Sequence, residues 1–216
     1  MQESAPKIGR PERARAEIQQ AAVEFLWSYP FRDMSVNRLM ACTSLSRAAF
    51  YYHFSDIHDL MKALLAALEA ELMAGVSPWL SADGDPVALF YQSLSAEVDL
   101  CYRHGPMLKA VSDAAGSDAS LERAWYGFLD SFDVAVSDRI AADQALGLID
   151  DFDPKPVATA LNHADAALYI RCFGQKPRVK KAVVLDALFR SWISTLYGKQ
   201  WVDGRKSTLI RQQPGR

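Results

Sequence analysis

Arg47, Tyr51, Tyr52 and His53 fall within one short stretch and offer a guanidinium, two phenols and an imidazole. A guanidinium pairs with the edge of guanine in the DNA major groove. Phenol and imidazole groups hydrogen-bond phosphate oxygens. Ala48 and Ala49, between them, are small enough to let a helix approach base edges closely. At 100° per residue, Tyr51, Tyr52 and His53 fan around most of a helix, so a helix of two turns cannot bury all three. Ser46 stands directly before Arg47 and is a natural N-cap. Ser35 does the same for a helix predicted over 36–42, whose N-terminus is a ready phosphate site.

Thr43-Ser44-Leu45 is a tight connection between the two short helices, 36–42 and 47–53. Val36, Leu39, Leu45 and Phe50 are placed to close a small core across it. That is helix-turn-helix geometry, with the second helix free to enter a major groove. The competing reading is two surface helices whose aromatics pack under a neighbour. A basic run favours the first reading. Lys7, Arg10, Arg13 and Arg15 face one acid, Glu12, and abut the pair, where an arm can follow a DNA backbone.

A second group lies far along the chain. Asn162, Asp165 and Tyr169 share one face of a predicted helix over 154–173. By pattern alone they are either a solvated edge beside Thr159 and His163 or polar fixers in an apolar ligand cavity. Trp125, Phe128, Leu129 and Phe132 on one predicted helix, and Phe90, Leu94 and Cys101 on another, are candidate walls or plain core. Glu97 falls on the same turn series as Leu94 and Cys101. If Glu97 and Asp165 both point inward, the cavity favours a cationic or hydrogen-bond-donating ligand.

The elements that must position these groups are all helical. Pro11, Pro86, Pro154 and Pro177 each precede a helix-compatible stretch, and Asp85 and Asp153 stand before two of them as N-caps. Gly105, Gly147, Gly174 and Gly198 sit where left-handed helix ends want glycine. Apolar residues between these marks repeat at three and four, as in Ile57, Leu60, Met61, Leu64, Leu65 and Leu68. No segment alternates like a strand. The spacing predicts an all-α protein of about nine helices, over 11–29, 36–42, 47–53, 57–80, 86–104, 106–114, 118–146, 154–173 and 178–197. The predicted domains are 1–55, a DNA-binding unit, and 56–198, a larger ligand-binding and dimerisation body, followed by a polar tail over 199–216.

Composition fits this. Half of the 216 residues are hydrophobic, 23% are charged and the net charge is -2, which excludes a uniformly basic binder but not a local basic patch. No apolar run nears the ~20 residues of a membrane span. The N-terminus turns basic with no apolar signal region, and Cys42, Cys101 and Cys172 are odd in number and far apart. A cytoplasmic protein with no membrane partner is expected. No Gly-rich phosphate loop, G-x-S-x-G or H-E-x-x-H is present, and the cysteines and histidines lack metal-ligand spacing, so no catalytic residues, metal or cofactor are expected.

The stretch Ser35-Val-Asn-Arg-Leu-Met-Ala-Cys-Thr-Ser-Leu-Ser-Arg-Ala-Ala-Phe-Tyr-Tyr-His-Phe54 resembles the N-terminal signature of TetR-type transcriptional regulators. Ala158-Thr-Ala-Leu-Asn162, Val184-Leu-Asp-Ala-Leu188 and Trp192-Ile-Ser-Thr-Leu-Tyr-Gly198 are similar to the EthR-like branch of that family. The resemblance implies a homodimeric one-component regulator, a repressor that a small apolar or amphipathic effector releases from its double-stranded DNA operator. An all-α enzyme and a ligand-independent helical adaptor are the alternatives. The resemblance also implies that the helix bearing Asn162 faces a ligand channel and that the last two helices form a four-helix dimer interface. The two apolar stripes on 178–197 call for a partner helix or a central position, and Val184, Leu188, Trp192 and Thr195 are expected at that interface. Two positions depart from the family pattern. Ser44 replaces the usual turn glycine, which predicts strain if the turn needs positive φ. Ile57 replaces a phosphate-contacting lysine, with His58 as a weak substitute.

Overall fold

The computed structural model of the chain describes residues 9–81 and 84–198. All regular structure in them is helical: α1 (Arg10–Ser28), α2 (Val36–Met40), α3 (Arg47–His53), α4 (Ile57–Ser81), α5 (Pro86–Ala115), α6 (Ala119–Ala145), α7 (Pro154–Phe173) and α8 (Lys181–Leu196), with one 3-10 turn at Phe31–Asp33. Among the described residues no helix is long and apolar enough to cross a membrane.

The start signals act as their chemistry requires. Asp85 Oδ1 accepts from the amides of Val87 and Ala88 at 3.0 and 3.4 Å, and Asp153 Oδ1 from Lys155 at 3.2 Å. Gly147 ends α6 with φ +67°, a left-handed stop. Gly174 caps α7 at φ -69°, so its freedom is not used there.

One expected break is absent. The stretches 86–104 and 106–114 are a single helix, with Pro106 inside it. Gly105 is there for a different reason than capping: a Cβ at this position would sit 2.4 Å from the carbonyl oxygen of Phe173. Only glycine lets the end of α7 lie directly on α5. Merging these two stretches gives eight α-helices among the described residues rather than nine.

The chain forms two compact units. The first comprises residues up to 67 and 106–125, and the second 68–105 and 126 onward, so α4, α5 and α6 each contribute to both. This division follows packing density and takes in more than the 1–55 segment. In the first unit α1, α2 and α3 pack on one another. Ile18, Ala22, Leu39 and Phe50 have no exposed surface, and Phe54 is nearly as buried. Each large apolar side chain so buried contributes about 1.5–3 kcal/mol. In the second unit Phe90, Leu94, Val98, Ile140, Leu161, Phe173, Val184, Leu188 and Trp192 are buried.

Candidate functional site

In the first unit, α3 is anchored from one side only. Phe50 is fully buried, whereas Arg47 and Ala48 are exposed and Tyr51 and Tyr52 keep 52% and 75% of their surface. Ala49 and His53 are half-buried. The predicted fan is therefore real: the helix buries one aromatic and projects a basic, phenolic face. Arg47 Nη2 lies 3.4 Å from Tyr51 Oη, and its guanidinium is 5.9 Å from that ring, which holds it along the exposed side. Tyr52 and His53 meet edge to face at 4.8 Å. Of the expected small core, Leu39 and Phe50 are buried and Val36 and Leu45 are half-buried.

Both serines cap as predicted. Ser35 Oγ accepts from the Arg38 amide and Ser46 Oγ from the Ala49 amide, each at 3.3 Å. Arg10 and Arg13 are exposed on α1. Arg15 lies over the Phe54 ring at 4.9 Å and so braces the end of α3. Lys7 lies outside the described residues.

The departure at Ser44 causes no strain, contrary to expectation, because no non-glycine residue among those described has positive φ. Instead the Ser44 amide and hydroxyl both donate to Glu17 Oε1 at 2.8 Å, tying the turn to α1. These two bonds hold the Glu17 carboxyl below the usual carboxylate range. Ile57 is buried and has become core. His58 packs on Phe31 at 5.7 Å and faces Asp118 at 4.0 Å, so its ring is engaged within its own unit.

In the second unit a polar group stands inside apolar packing. Asp165 is 5% exposed, and Trp192 Nε1 donates to its Oδ2 at 2.9 Å. Trp192 packs against Phe90 at 4.9 Å and Trp79 at 5.9 Å. Glu97 and Cys101 on α5 face Asp165 and Tyr169 on α7. Glu97 is half-buried over the whole residue, yet protein surrounds its carboxyl. Burial pushes Glu97 up to about 7, while the neighbouring Tyr169 hydroxyl opposes the shift. Burial, and then the charge of Glu97, raise Asp165 well above its ordinary value, with the Trp192 bond opposing. Cys101 is raised by burial and by both acids, which leaves it an unreactive thiol. Sequence reasoning thus finds Glu97, Cys101, Asp165 and Tyr169, and the structure brings all four together. It misplaces Trp192, whose indole N–H is the one donor to this group that the sequence could not single out from its neighbours.

Other expectations need correction. Asn162 is expected to hold a ligand, yet its Nδ2 donates to Asp133 Oδ1 at 2.8 Å, and Thr159 donates to Asp133 Oδ2 at 2.6 Å, so part of its hydrogen-bonding capacity is spent within the chain. His163 Nε2 lies 3.6 Å from the same carboxylate, which is only 6% exposed. Asn162 donates a hydrogen bond to a buried acid on α6, a role visible only once α6 and α7 are paired. Phe128 and Phe132 meet edge to face at 5.2 Å, and Leu129 is buried beside them in sequence. Trp125 is buried and belongs to the first unit. Val184, Leu188 and Trp192, expected at a dimer interface, are 2–3% exposed, their surface already covered by the chain's own packing. Thr195 is exposed, its hydroxyl bonded back to the Ser191 carbonyl at 2.7 Å.

A family model described as the C-terminal domain of transcriptional regulator EthR matches residues 90–198. The chain belongs to the EthR-like branch of the TetR-type transcriptional regulators. The regulator is 24% identical over 207 residues to HTH-type transcriptional regulator EthR of Mycobacterium tuberculosis H37Rv, covering 92% of this chain and 96% of that one. It is 22% identical over 205 residues to the EthR of Mycolicibacterium smegmatis, with 91% and 94% covered. Among solved structures, the fatty acid degradation regulator FadR of Bacillus halodurans superposes with a TM-score of 0.72 at 10% identity, over 86% of this chain and 95% of that one. A TetR-family regulator of Agrobacterium tumefaciens gives 0.68 at 13%, over 87% and 100%. At these identities the structural likeness concerns the fold, and the regulator's helical architecture is that fold.

Proposed function

We propose that the regulator is a homodimeric repressor that grips its operator through α3 and lets go when a small apolar or amphipathic ligand binds the second unit. The observation that carries this is the one-sided anchoring of α3. A buried Phe50 fixes the helix, and Arg47, Ala48, Tyr51 and Tyr52 stand exposed on it in a chain of this family. Arg47 reads a base edge; Tyr51, Tyr52 and His53 contact phosphates; Arg10 and Arg13 follow the backbone, with Lys7 extending that arm. Such a regulator acts in the cytoplasm, where its operator is, and does no chemistry on its ligand.

Dimerisation uses the exposed face of α7 and α8. On α7, Ala160, Ala164 and Ala167 are exposed; on α8, Val183, Ala187, Ser191 and Ser194 are. Small side chains at helical spacing let two helix pairs approach closely. A twofold pair then presents two copies of α3 to successive major grooves. Release is a population shift. Ligand binds the DNA-incompetent arrangement more tightly than the competent one, and DNA weakens ligand binding by the same factor. α4, which has residues in both units, is the natural lever.

The test is selection from a random duplex pool, followed by competition. The regulator is expected to enrich one pseudopalindrome, and a thermally stabilising lipophilic compound is expected to release it. Enrichment of no sequence above background contradicts the proposal.

A further inference from the structure

Ser93, Glu97 and Cys101 follow one another at intervals of four along α5 and so form one row on that helix. Asp165 and Tyr169 form the matching pair on α7, and α8 supplies the Trp192 indole. Among the described residues, the groups that act on the two acids are the Tyr169 hydroxyl on Glu97, and Glu97 and the Trp192 N–H on Asp165, and none of these carries positive charge. Two buried carboxylates without a cation are an incomplete arrangement, since such groups are ordinarily paired or hydrogen-bonded. A second observation points the same way. Tyr169 is 2% exposed and its Oη, although beside the Glu97 carboxyl, closes no well-formed hydrogen bond; Ser93, 3% exposed and in the same α5 row as Glu97, closes none through its Oγ. The cluster therefore holds carboxyl acceptors and hydroxyls with unused hydrogen-bonding capacity, and among the described residues no positive charge acts on its acids. The packing around it is apolar and aromatic, through Phe90, Leu94 and Trp192.

A metal ion does not fit: no three His, Cys, Asp or Glu side chains among the described residues converge closely enough to hold one. An anionic ligand meets two acids. A neutral alcohol brings one donor and no charge. A protonated amine brings one positive charge and up to three N–H donors, which matches what the cluster lacks.

We propose that the effector is an amphipathic organic cation, a protonated amine on an apolar skeleton, whose ammonium sits between Glu97 and Asp165 with the Tyr169 hydroxyl as a further contact. This rests on the second unit being the ligand-binding body. Without ligand, the carboxyl pair keeps a proton, because two buried like charges cannot both ionise. Binding the ammonium ionises the pair, so a proton leaves to solvent as the cation enters.

The test compares 4-phenylbutylamine, 4-phenylbutanol and 4-phenylbutanoate by thermal shift and by calorimetry at neutral pH in two buffers of different ionisation heat. Wild type, Glu97→Gln and Asp165→Asn are used as full-length protein. Wild type is expected to bind the amine at least tenfold more tightly than the alcohol, to ignore the butanoate, and to release up to one proton per amine. Glu97→Gln, which resembles the protonated acid in shape, is expected to lose tenfold or more for the amine and nothing for the alcohol, with less proton release per amine than wild type. Asp165→Asn serves the same comparison should Glu97→Gln prove poorly folded. Alcohol binding as tightly as amine, butanoate binding best, or full amine affinity in the folded variants would overturn the cation assignment and leave ligand binding by the second unit standing. No shift with any of the three probes would overturn both.

Discussion

Asn162 illustrates how a residue's partner decides its role. On the sequence it belongs with Asp165 and Tyr169, but its amide is committed to Asp133, alongside the Thr159 hydroxyl. Asn162→Leu is therefore expected to act on stability. It removes a donor from a buried carboxylate, a loss of about 1–3 kcal/mol, and should lower the midpoint of urea unfolding while ligand affinity in the still-folded protein stays within twofold. A several-fold loss of ligand affinity at unchanged stability would make Asn162 a ligand contact. The residue types at α3 were legible from the sequence because a short helix cannot hide three consecutive aromatic or imidazole side chains. The Ser44–Glu17 ties were not, because they join positions far apart in the chain and neither residue type announces the other.

At the scale of elements, propensity and punctuation locate most helices to within a few residues. The miss at Gly105-Pro106 follows from what sequence cannot carry. Glycine before proline looks like a terminator, whereas here it records the approach of the Phe173 carbonyl. Gly105→Ala is expected to destabilise at or above the upper end of the ~1–3 kcal/mol typical of overpacking, because the obstruction is backbone and cannot rotate away. Thermal unfolding checks this, and an unchanged Tm would contradict the close approach. Helix α8 shows the same limit. Its two apolar stripes were visible, but which faced inward was not. With Val184, Leu188 and Trp192 buried in the subunit, the proposed partner face is that of Val183 and Ala187. Ala187→Glu should leave the subunit folded and shift sedimentation from dimer to monomer. A dimer unchanged at micromolar concentration would place the interface elsewhere.

At the scale of the whole molecule, the buried acids couple stability to pH. Glu97 has a folded value of about 7, raised from an ordinary carboxylate value chiefly by burial, and Asp165 is raised in the same direction. A raised value means the folded protein binds the proton more tightly than the unfolded chain. The stabilisation is then full in acid, below the unfolded values, and is lost as pH rises through the folded ones. Each such proton changes stability by at most about 1.4 kcal/mol per pH unit. Glu17, Asp118 and Asp186 are lowered by hydrogen bonds and act with the opposite sign in acid. The informative quantity is thus the difference between wild type and Glu97→Gln, which should favour the variant increasingly between about pH 5 and 7. A difference independent of pH would mean that Glu97 is ionised throughout.

One measurement tests directly whether α3 reads DNA. It is the affinity of wild type and Arg47→Ala for a selected operator and for a scrambled duplex, by fluorescence anisotropy at one fixed salt concentration. Loss of a base contact costs about 1–3 kcal/mol. The operator affinity of Arg47→Ala should therefore fall by roughly five- to 150-fold, with scrambled-duplex affinity much less affected and the dimer intact. Equal operator affinity for the two proteins, or no preference of wild type for operator over scrambled duplex, would contradict it.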